Sequence, residues 1–280
     1  LLRHLRGGVS ELYTAARYNQ AEVVEQLLSD GADPNKDEDV TETVLGMAAE
    51  KGHADVVKLL LESGANPHKM YSDWYTKIAK IDHEGFTPLH AAARKGDVNV
   101  VKLLLAHGAD LNKATTVKGI TPLYAAAGEG HWYGTDVVKL LLERGADPNK
   151  ATSYGWTPLH SVSGVDRYED GEEELDEEIA RLLLEHGATL DLKDGNGNTA
   201  LDLAKGAPGG ALKSKKGIIN ILLEPRRAAR DIRLMEKKLG DLYGPPQSIA
   251  SYVYGDDPSR RGLDLELNRH KERKQSRRGL

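Results

Sequence analysis

The sequence predicts an all-α fold built from short helix pairs that repeat along the chain, and three observations support this prediction. Thr-Pro-Leu and its degenerate copies occur at 43–45, 87–89, 121–123, 157–159 and 199–201. Gly-Ala closes an apolar run at 31–32, 64–65, 108–109, 145–146 and 187–188. These signals recur at a period of roughly 33 residues, which is typical of structural repeats that stack on one another.

The unit at 85–108 shows why this pattern forms a helix pair. The Thr87 hydroxyl can cap a helix, and Pro88 suits the first helical position, where no backbone donor is needed. Gly96 can adopt the left-handed conformation that ends a helix. A second helix is expected from the Val-Val-Lys-Leu-Leu-Leu run, and Gly108 ends it. The apolar face of the first helix consists of Leu89, Ala92 and Ala93.

The repeated Thr-Pro-Leu-His and Gly-Ala-Asp-x-Asn motifs resemble those of the ankyrin repeat family over about residues 10–224. The resemblance implies a solenoid of antiparallel helix pairs joined by protruding β-hairpin loops, in which each repeat buries its apolar face against its neighbours. Six repeats are expected, at about 10–40, 41–81, 82–117, 118–153, 154–193 and 194–224. The first and the sixth are expected to cap the array.

Three insertions interrupt the repeat and map to loops, because solenoids accommodate extra residues there. The first is aromatic, lies at 69–80 and enlarges the loop between the second and third repeats. The second, at 131–135, separates the helices of the fourth repeat. The third, at 169–178, is strongly acidic and is expected to be a solvated loop, with docking of a basic partner as the alternative.

The segments outside the repeats have different predicted roles. Residues 1–9 are expected to be a leader. Apolar residues at helical spacing predict a C-terminal helix over 225–240, which either covers the end of the stack or binds a partner. Residues 241–280 are rich in Gly, Pro and basic side chains and are expected to be a mostly disordered basic tail.

Composition and charge exclude several classes of function. The chain has no cysteine, so it has neither disulfides nor a cysteine nucleophile. Residues 1–223 carry a net charge of −10 and residues 224–280 a net charge of +5, so nucleic-acid binding is expected only through the tail. No apolar run approaches the roughly 18 residues of a membrane span. We expect a monomeric intracellular protein, cytoplasmic or nuclear, without membrane association.

No constellation of residues indicates catalysis or a cofactor. The histidines mostly occupy repeat positions, and a stack of repeats keeps them apart, so no metal site is expected. His90 and His160 stand in Thr-Pro-Leu-His, where the resemblance implies hydrogen bonds between neighbouring repeats. Asn35, Asn112 and Asn149 close the Gly-Ala-Asp-x-Asn motif and are interpreted as turn-capping residues, with hydroxylation as the alternative that the resemblance raises.

The candidate partner-binding residues come from the hairpin tips. In the family that the sequence resembles, the residue between Gly and Thr-Pro-Leu projects from the hairpin, and here it is Phe86, Ile120 or Trp156. An exposed apolar stripe is typical of interaction sites. The alternative is that these side chains pack on neighbouring hairpins. Aromatic residues that could extend the stripe are Tyr71, Trp74, Trp132, Tyr133 and Tyr154. Charged residues at the ends of first helices, beside the expected groove, are Arg94, Lys95 and Glu129.

These observations favour a non-catalytic scaffold or adaptor that binds a partner protein through the concave groove and the hairpin tips. Two alternatives remain at this point. The chain could be a nuclear or nucleic-acid-associated regulator that acts through its basic tail, or a targeting module of a larger enzyme. The fold alone does not choose among these functions, because one architecture supports many.

Overall fold

A computed structural model describes residues 10–36, 43–70, 85–129, 134–164, 173–206 and 215–225, together with Ala228 and Arg230. The chain divides into two compact units, Leu1–Trp156 and Thr157–Leu280.

The first unit consists of helix pairs in two layers. Its described helices are α1 (Glu11–Arg17), α2 (Ala21–Ser29), α3 (Val44–Lys51), α4 (Ala54–Glu62), α5 (Pro88–Lys95), α6 (Val98–Ala106), α7 (Pro122–Glu129) and α8 (Gly134–Glu143). The first helices α1, α3, α5 and α7 contact one another in that order, and so do the second helices α2, α4, α6 and α8. This arrangement confirms the predicted stack of helix pairs.

Hydroxyl side chains start the first helices, as the sequence predicted. The Ser10 Oγ accepts a hydrogen bond from the backbone N–H of Tyr13 (3.1 Å), and the Thr43 Oγ1 accepts one from that of Gly46 (2.9 Å). These bonds satisfy N–H groups that have no partner within the helix. At the other end of α5, Gly96 has a φ of 80°, which is the left-handed conformation that permits the sharp turn into α6.

The core of the first unit combines small residues on the first helices with branched apolar residues on the second helices. Ala91, Ala92 and Ala93 of α5 are completely buried, which lets α3 and α7 approach α5 closely on either side. Val100 and Leu104 of α6 are also completely buried. The alternating Ala-rich and Val/Leu-rich helices thus account for the apolar periodicity of the sequence.

The hairpins between repeats are tight turns in the part of the chain that the structure describes. The backbone N–H of Thr115 donates to the carbonyl of Ile120 (2.8 Å), and that of Thr152 donates to the carbonyl of Trp156 (2.8 Å). Gly85 has a φ of 89°, and a Cβ there would lie 2.9 Å from the backbone nitrogen of Thr116. Only glycine therefore fits at position 85, where the chain approaches the turn at 115–120.

The second unit contains α9 (Pro158–Gly164), α10 (Glu173–Glu185) and α11 (Ala200–Ala204), and residues 216–225 are also helical. Helix α9 contacts both α10 and α11. The sequence predicted an acidic loop over 169–178, but residues 173–178 form the first part of α10. That part of the prediction is wrong, because glutamate is a good helix former and α10 buries Ile179 and Leu183 on one face.

Several predictions fall outside the described residues. These are the leader 1–9, the aromatic residues Tyr71, Trp74, Trp132 and Tyr133, the acidic residues 169–172, the tail 241–280 and nearly all of the C-terminal helix 225–240. Among the helices that the structure describes, none is long and apolar enough to cross a membrane.

Candidate functional site

The two hairpin residues Phe86 and Ile120, which were expected to project as part of an apolar stripe, are buried. The exposed fraction is 0% for Phe86 and 3% for Ile120. The expectation that these two side chains form an exposed edge is therefore wrong. The alternative, that these side chains pack on neighbouring hairpins, agrees with their burial, but the ring contacts of Phe86 are with the first helix of its own repeat.

Phe86 is buried because its ring is covered by the first helix of its own repeat. The ring centroids of Phe86 and His90 lie 5.1 Å apart, and the guanidinium carbon of Arg94 lies 5.3 Å from the Phe86 centroid. A cation above an aromatic face is attracted by the negative face of the ring. Arg94 also forms an ion pair with Glu50 of α3, with 3.4 Å between Nη2 and Oε1. Arg94, expected at a partner-binding surface, is thus engaged within the array.

The backbone of Ile120 joins two repeats. Its N–H donates to the Thr115 Oγ1 (2.9 Å) within the hairpin. Its carbonyl accepts from the Thr115 N–H (2.8 Å) and from the Nε2–H of His90 (3.0 Å), which belongs to the preceding repeat. The interaction between repeats that the resemblance implied for His90 is present.

These contacts define the tautomer of His90. The backbone N–H of Thr87 donates to Nδ1 (3.1 Å), and the Thr87 hydroxyl lies 2.8 Å from the same atom. Nδ1 accepts a hydrogen bond, so it carries no proton. Nε2 faces the carbonyl of Ile120, which can only accept, so Nε2 carries the proton and the ring is neutral. Burial lowers the pKa of His90 to about 4, although the hydrogen bond to the Ile120 carbonyl opposes the shift.

His160 repeats this arrangement in the second unit. Its Nδ1 accepts from the backbone N–H of Thr157 (3.3 Å), and its Nε2 donates to the carbonyl of Asn198 (3.2 Å). Burial again lowers the pKa of the imidazole, and the hydrogen bond to the Asn198 carbonyl opposes that shift. Both histidines of the Thr-Pro-Leu-His motif therefore have a structural role as neutral rings.

We expect the protein to lose stability as the pH falls from 6.5 to about 4. The unfolded chain binds a proton at His90 below pH 6.5, whereas the folded chain does so only near pH 4. The stabilisation is fully present above pH 6.5, and the shift corresponds to a loss of about 3 kcal/mol. Urea denaturation at a series of pH values measures it.

A matched pair of variants isolates the contribution of His90 to this pH dependence. His90→Gln should be less stable at pH 7 but should show a smaller further loss between pH 6.5 and 4. His107→Gln is the control, because His107 is exposed and its Nδ1 bonds only to the Leu103 carbonyl of its own helix (2.9 Å). Identical pH dependence in the wild type and in His90→Gln would contradict the assignment.

The exposed apolar side chains of the hairpins overlap only in part with the predicted residues. Tyr154 is 62% exposed and Val117 is 41% exposed, while Trp156 is half-buried. The backbone N–H of Ser153 donates to the carbonyl of Lys118 (2.8 Å), so the two hairpins are neighbours. We call Val117, Tyr154 and Trp156 the hairpin-tip patch. Tyr154 and Trp156 were predicted from the sequence. Val117 was not, because its place in a turn is the only feature of the sequence that indicates its exposure.

The remaining charged candidates lie at the ends of first helices. Lys95 is exposed at the end of α5. Glu129 is the last residue of α7. Within the described residues, no three His, Asp or Glu side chains are arranged to hold a metal ion.

Asparagines of the Gly-Ala-Asp-x-Asn motif connect neighbouring hairpins. The Asn35 side chain donates from Nδ2 to the Gly64 carbonyl (2.8 Å) and accepts from the Asn66 N–H (2.7 Å). Asn112 repeats part of this pattern by accepting from the Asp147 N–H (3.0 Å). These side chains bond to the backbone of the following repeat, while the turn itself is capped by the Asp of the motif, as where the Asp33 Oδ1 accepts from the Asn35 N–H (2.8 Å).

Two sequence profiles of the same family match the chain. The profile described as "Ankyrin repeats (3 copies)" matches residues 12–115, and the profile described as "Ankyrin repeat" matches residues 118–153 and 154–195. Together these matches cover well over half of the chain. Comparison with curated protein sequences finds no significant match.

Several solved structures are similar to this chain. EF0377, described as an ankyrin repeat protein, is 29% identical with a TM-score of 0.63, and the alignment covers 77% of this chain and 98% of that one. The ankyrin repeat domain of Bcl-3, a member of the IkappaB protein family, is 26% identical with a TM-score of 0.56 and coverage of 75% and 80%. The third is a chain in the structure described as the predatory endopeptidase Bd0816 from Bdellovibrio bacteriovorus in complex with the immunity protein Bd3460. It is 25% identical, with a TM-score of 0.60 and coverage of 76% and 97%.

Proposed function

Because this chain belongs to the ankyrin repeat family, whose members are generally protein–protein interaction modules, we propose that it is a non-catalytic scaffold or adaptor. In this proposal it binds a partner protein through the hairpin-tip patch. The observation that carries the proposal is the exposure of Tyr154 and Val117 on neighbouring hairpins. Phe86 and Ile120, the other apolar hairpin residues considered, are buried.

The patch has the physical properties of a binding surface. Tyrosine and tryptophan are favoured anchors, and their truncation often costs about 2 kcal/mol or more of binding free energy. The turn that carries Tyr154 is held by the Thr152 Oγ1, which accepts from the backbone N–H of Trp156 (3.1 Å). A rigid backbone lets the aromatic side chain bind without a large loss of conformational entropy.

The similar structures are compatible with this proposal. The Bdellovibrio bacteriovorus structure is described as a complex between an endopeptidase and an immunity protein, so at least one structure that resembles this chain comes from an assembly of two proteins. For this chain we infer only that the partner is a protein and that it contacts the hairpin-tip patch.

Photo-crosslinking tests the proposal directly. We expect p-benzoylphenylalanine at position 154 to crosslink a protein in a lysate of the source organism, and mass spectrometry would identify it. The same photo-crosslinker at position 23 is the matched control, because Val23 is an exposed apolar residue on the second helix α2. The crosslink should appear at 154, be absent at 23 and persist at high salt, since the patch is apolar.

A binding measurement with the identified protein completes the test. Tyr154→Ala combined with Val117→Ser should weaken binding by about tenfold or more, as expected for loss of an anchor. Val23→Ser should leave binding unchanged. Equal binding by both variants, or crosslinking at both positions alike, would show that the partner does not dock on the hairpin-tip patch.

A further inference from the structure

We propose that the C-terminal ends of α1, α3 and α5 form a docking surface for an acidic peptide segment of the partner. This surface, the basic strip, consists of Arg17, Tyr18, Lys51, Arg94 and Lys95. The proposal rests on the proposed function and adds the chemistry of the segment that the protein recognises.

The residues of the basic strip come together because α1, α3 and α5 pack side by side. The carbonyl of Arg17 lies 3.2 Å from the Nε2 of His53, which follows α3. Glu50 of α3 reaches Arg94 of α5 (3.4 Å). The C-terminal ends of these three helices are thus neighbours.

The exposed side chains of the strip are cationic and aromatic. Arg17, Lys51 and Lys95 are exposed, and Tyr18 is 69% exposed. The carboxylate of Glu50 lies beside the strip and pairs with Arg94. The strip is therefore positive, although residues 1–223 carry a net charge of −10.

Nearby carboxylates offset only part of this charge. The carboxylate of Asp97, which follows α5, accepts from the backbone N–H groups of Asn99 and Val100 at 3.0 Å each. Its Oδ1 therefore caps α6, while its Oδ2 lies beside Gly52 at the end of α3, where a Cβ would be 2.8 Å away. His53 is half-buried and contributes its ring to the Arg17 carbonyl. The four cations of the strip still outnumber the two carboxylates of Glu50 and Asp97. Three of the cations, Arg17, Lys51 and Lys95, are exposed.

The length and composition of the strip favour a peptide. At α7 the positions that correspond to Arg94 and Lys95 are Gly128 and Glu129, so the strip ends there. Three helices packed 8–10 Å apart span about 20 Å, which is the length of about six extended residues. The three exposed cations and the exposed tyrosine suit a short acidic segment with apolar or aromatic residues. A nucleic acid would extend beyond the strip and meet the repulsion of the acidic remainder of the array, whereas a segment of about six residues stays on the strip.

A purely structural explanation of the basic residues makes a different prediction. Cations in the last turn of a helix interact favourably with the helix dipole. If that were their only role, charge reversal would lower the thermal stability and leave ligand binding unaffected. Binding and stability therefore have to be measured on the same variants.

Fluorescence anisotropy with defined probes tests the proposal. The acidic probe is a labelled peptide of three Glu-Glu-Tyr triplets, the basic counterpart contains three Lys-Lys-Tyr triplets, and oligothymidylate of the same length tests for general polyanion binding. We expect the wild-type chain to bind the acidic peptide more tightly than both other probes. Lys51→Glu with Lys95→Glu should weaken that binding by about tenfold, because two attractive charges become repulsive.

The matched control is Lys102→Glu with Lys139→Glu, which reverses two exposed lysines on α6 and α8 and changes the net charge equally. It should change the affinity by less than about twofold. Lys51→Gln with Lys95→Gln provides a milder variant that should also weaken binding, and circular dichroism compares the thermal stability of all variants.

Three results would overturn the proposal. These are equal loss of affinity in the strip variant and the control, tighter binding of oligothymidylate than of the acidic peptide, and absence of acidic-peptide binding by the folded wild type. The proposed function fails separately, if position 154 crosslinks no protein. A partner that is crosslinked at 154 but binds the strip variants normally would refute the basic strip alone.

Discussion

Replacing Phe86 with alanine should lower the free energy of unfolding by about 3–5 kcal/mol, the usual cost of deleting a large buried aromatic side chain. The ring is completely buried and is contacted by His90 and by the guanidinium group of Arg94. Its removal leaves a cavity between the hairpin and α5 and also takes away the aromatic face that Arg94 covers. Urea denaturation followed by circular dichroism measures the change.

The control for this experiment is Tyr154→Ala, which truncates an exposed aromatic residue of a hairpin. Its effect on the free energy of unfolding should lie within about 0.5 kcal/mol. If Phe86→Ala were equally mild, the packing of Phe86 described here would be incorrect, and an exposed position for Phe86 would again have to be considered.

Replacing Lys215 with methionine should destabilise the protein by about 3–5 kcal/mol, because one partner of a buried ion pair is left without its counter-charge. The Nζ of Lys215 lies 2.8 Å from the Oδ2 of Asp176 and donates to the carbonyl of Val162 (3.1 Å). Both charged side chains are almost completely buried within the second unit. Thermal and urea denaturation measure the loss.

Two further variants distinguish the buried charge from a simple packing effect. Lys215→Met combined with Asp176→Leu should recover most of the stability, since replacing both charges with apolar groups of similar volume is often close to neutral. Arg181→Met is the control, because Arg181 and Glu224 form an exposed ion pair (3.5 Å) whose loss should cost at most about 1 kcal/mol. Failure of the double variant to recover stability would argue against an isolated buried charge as the cause.

The helix pairs could be predicted because their signals are local. Thr43 caps the helix that begins one residue later, and Gly96 ends the helix that precedes it. These effects depend only on neighbouring residues, so the sequence pattern contained them. The turn residues with positive φ that separate the helices of the first three pairs, Asn19, Gly52 and Gly96, are equally local.

The exposure of the hairpin residues could not be predicted in the same way. Whether Phe86 projects or packs depends on Arg94, and the position of Arg94 depends in turn on Glu50 of another repeat. The ion pair of Asp176 and Lys215 joins residues that are 39 positions apart, with no motif to connect them. Helix α10 did leave a signal, since Ile179 and Leu183 are spaced four apart, but the density of carboxylates concealed it.

The bonds between repeats also bear on how freely the surface of this protein can diverge. His90 reaches the carbonyl of Ile120, and Asn35 reaches the carbonyl of Gly64 and the N–H of Asn66. In each case the hydrogen-bond partner of the side chain is a backbone N–H or carbonyl group, which nearly every amino acid supplies. A substitution at an exposed position such as Tyr154 therefore leaves the hydrogen bonds between repeats intact. Recognition can change through substitution at the tips while the stacking of the repeats stays the same.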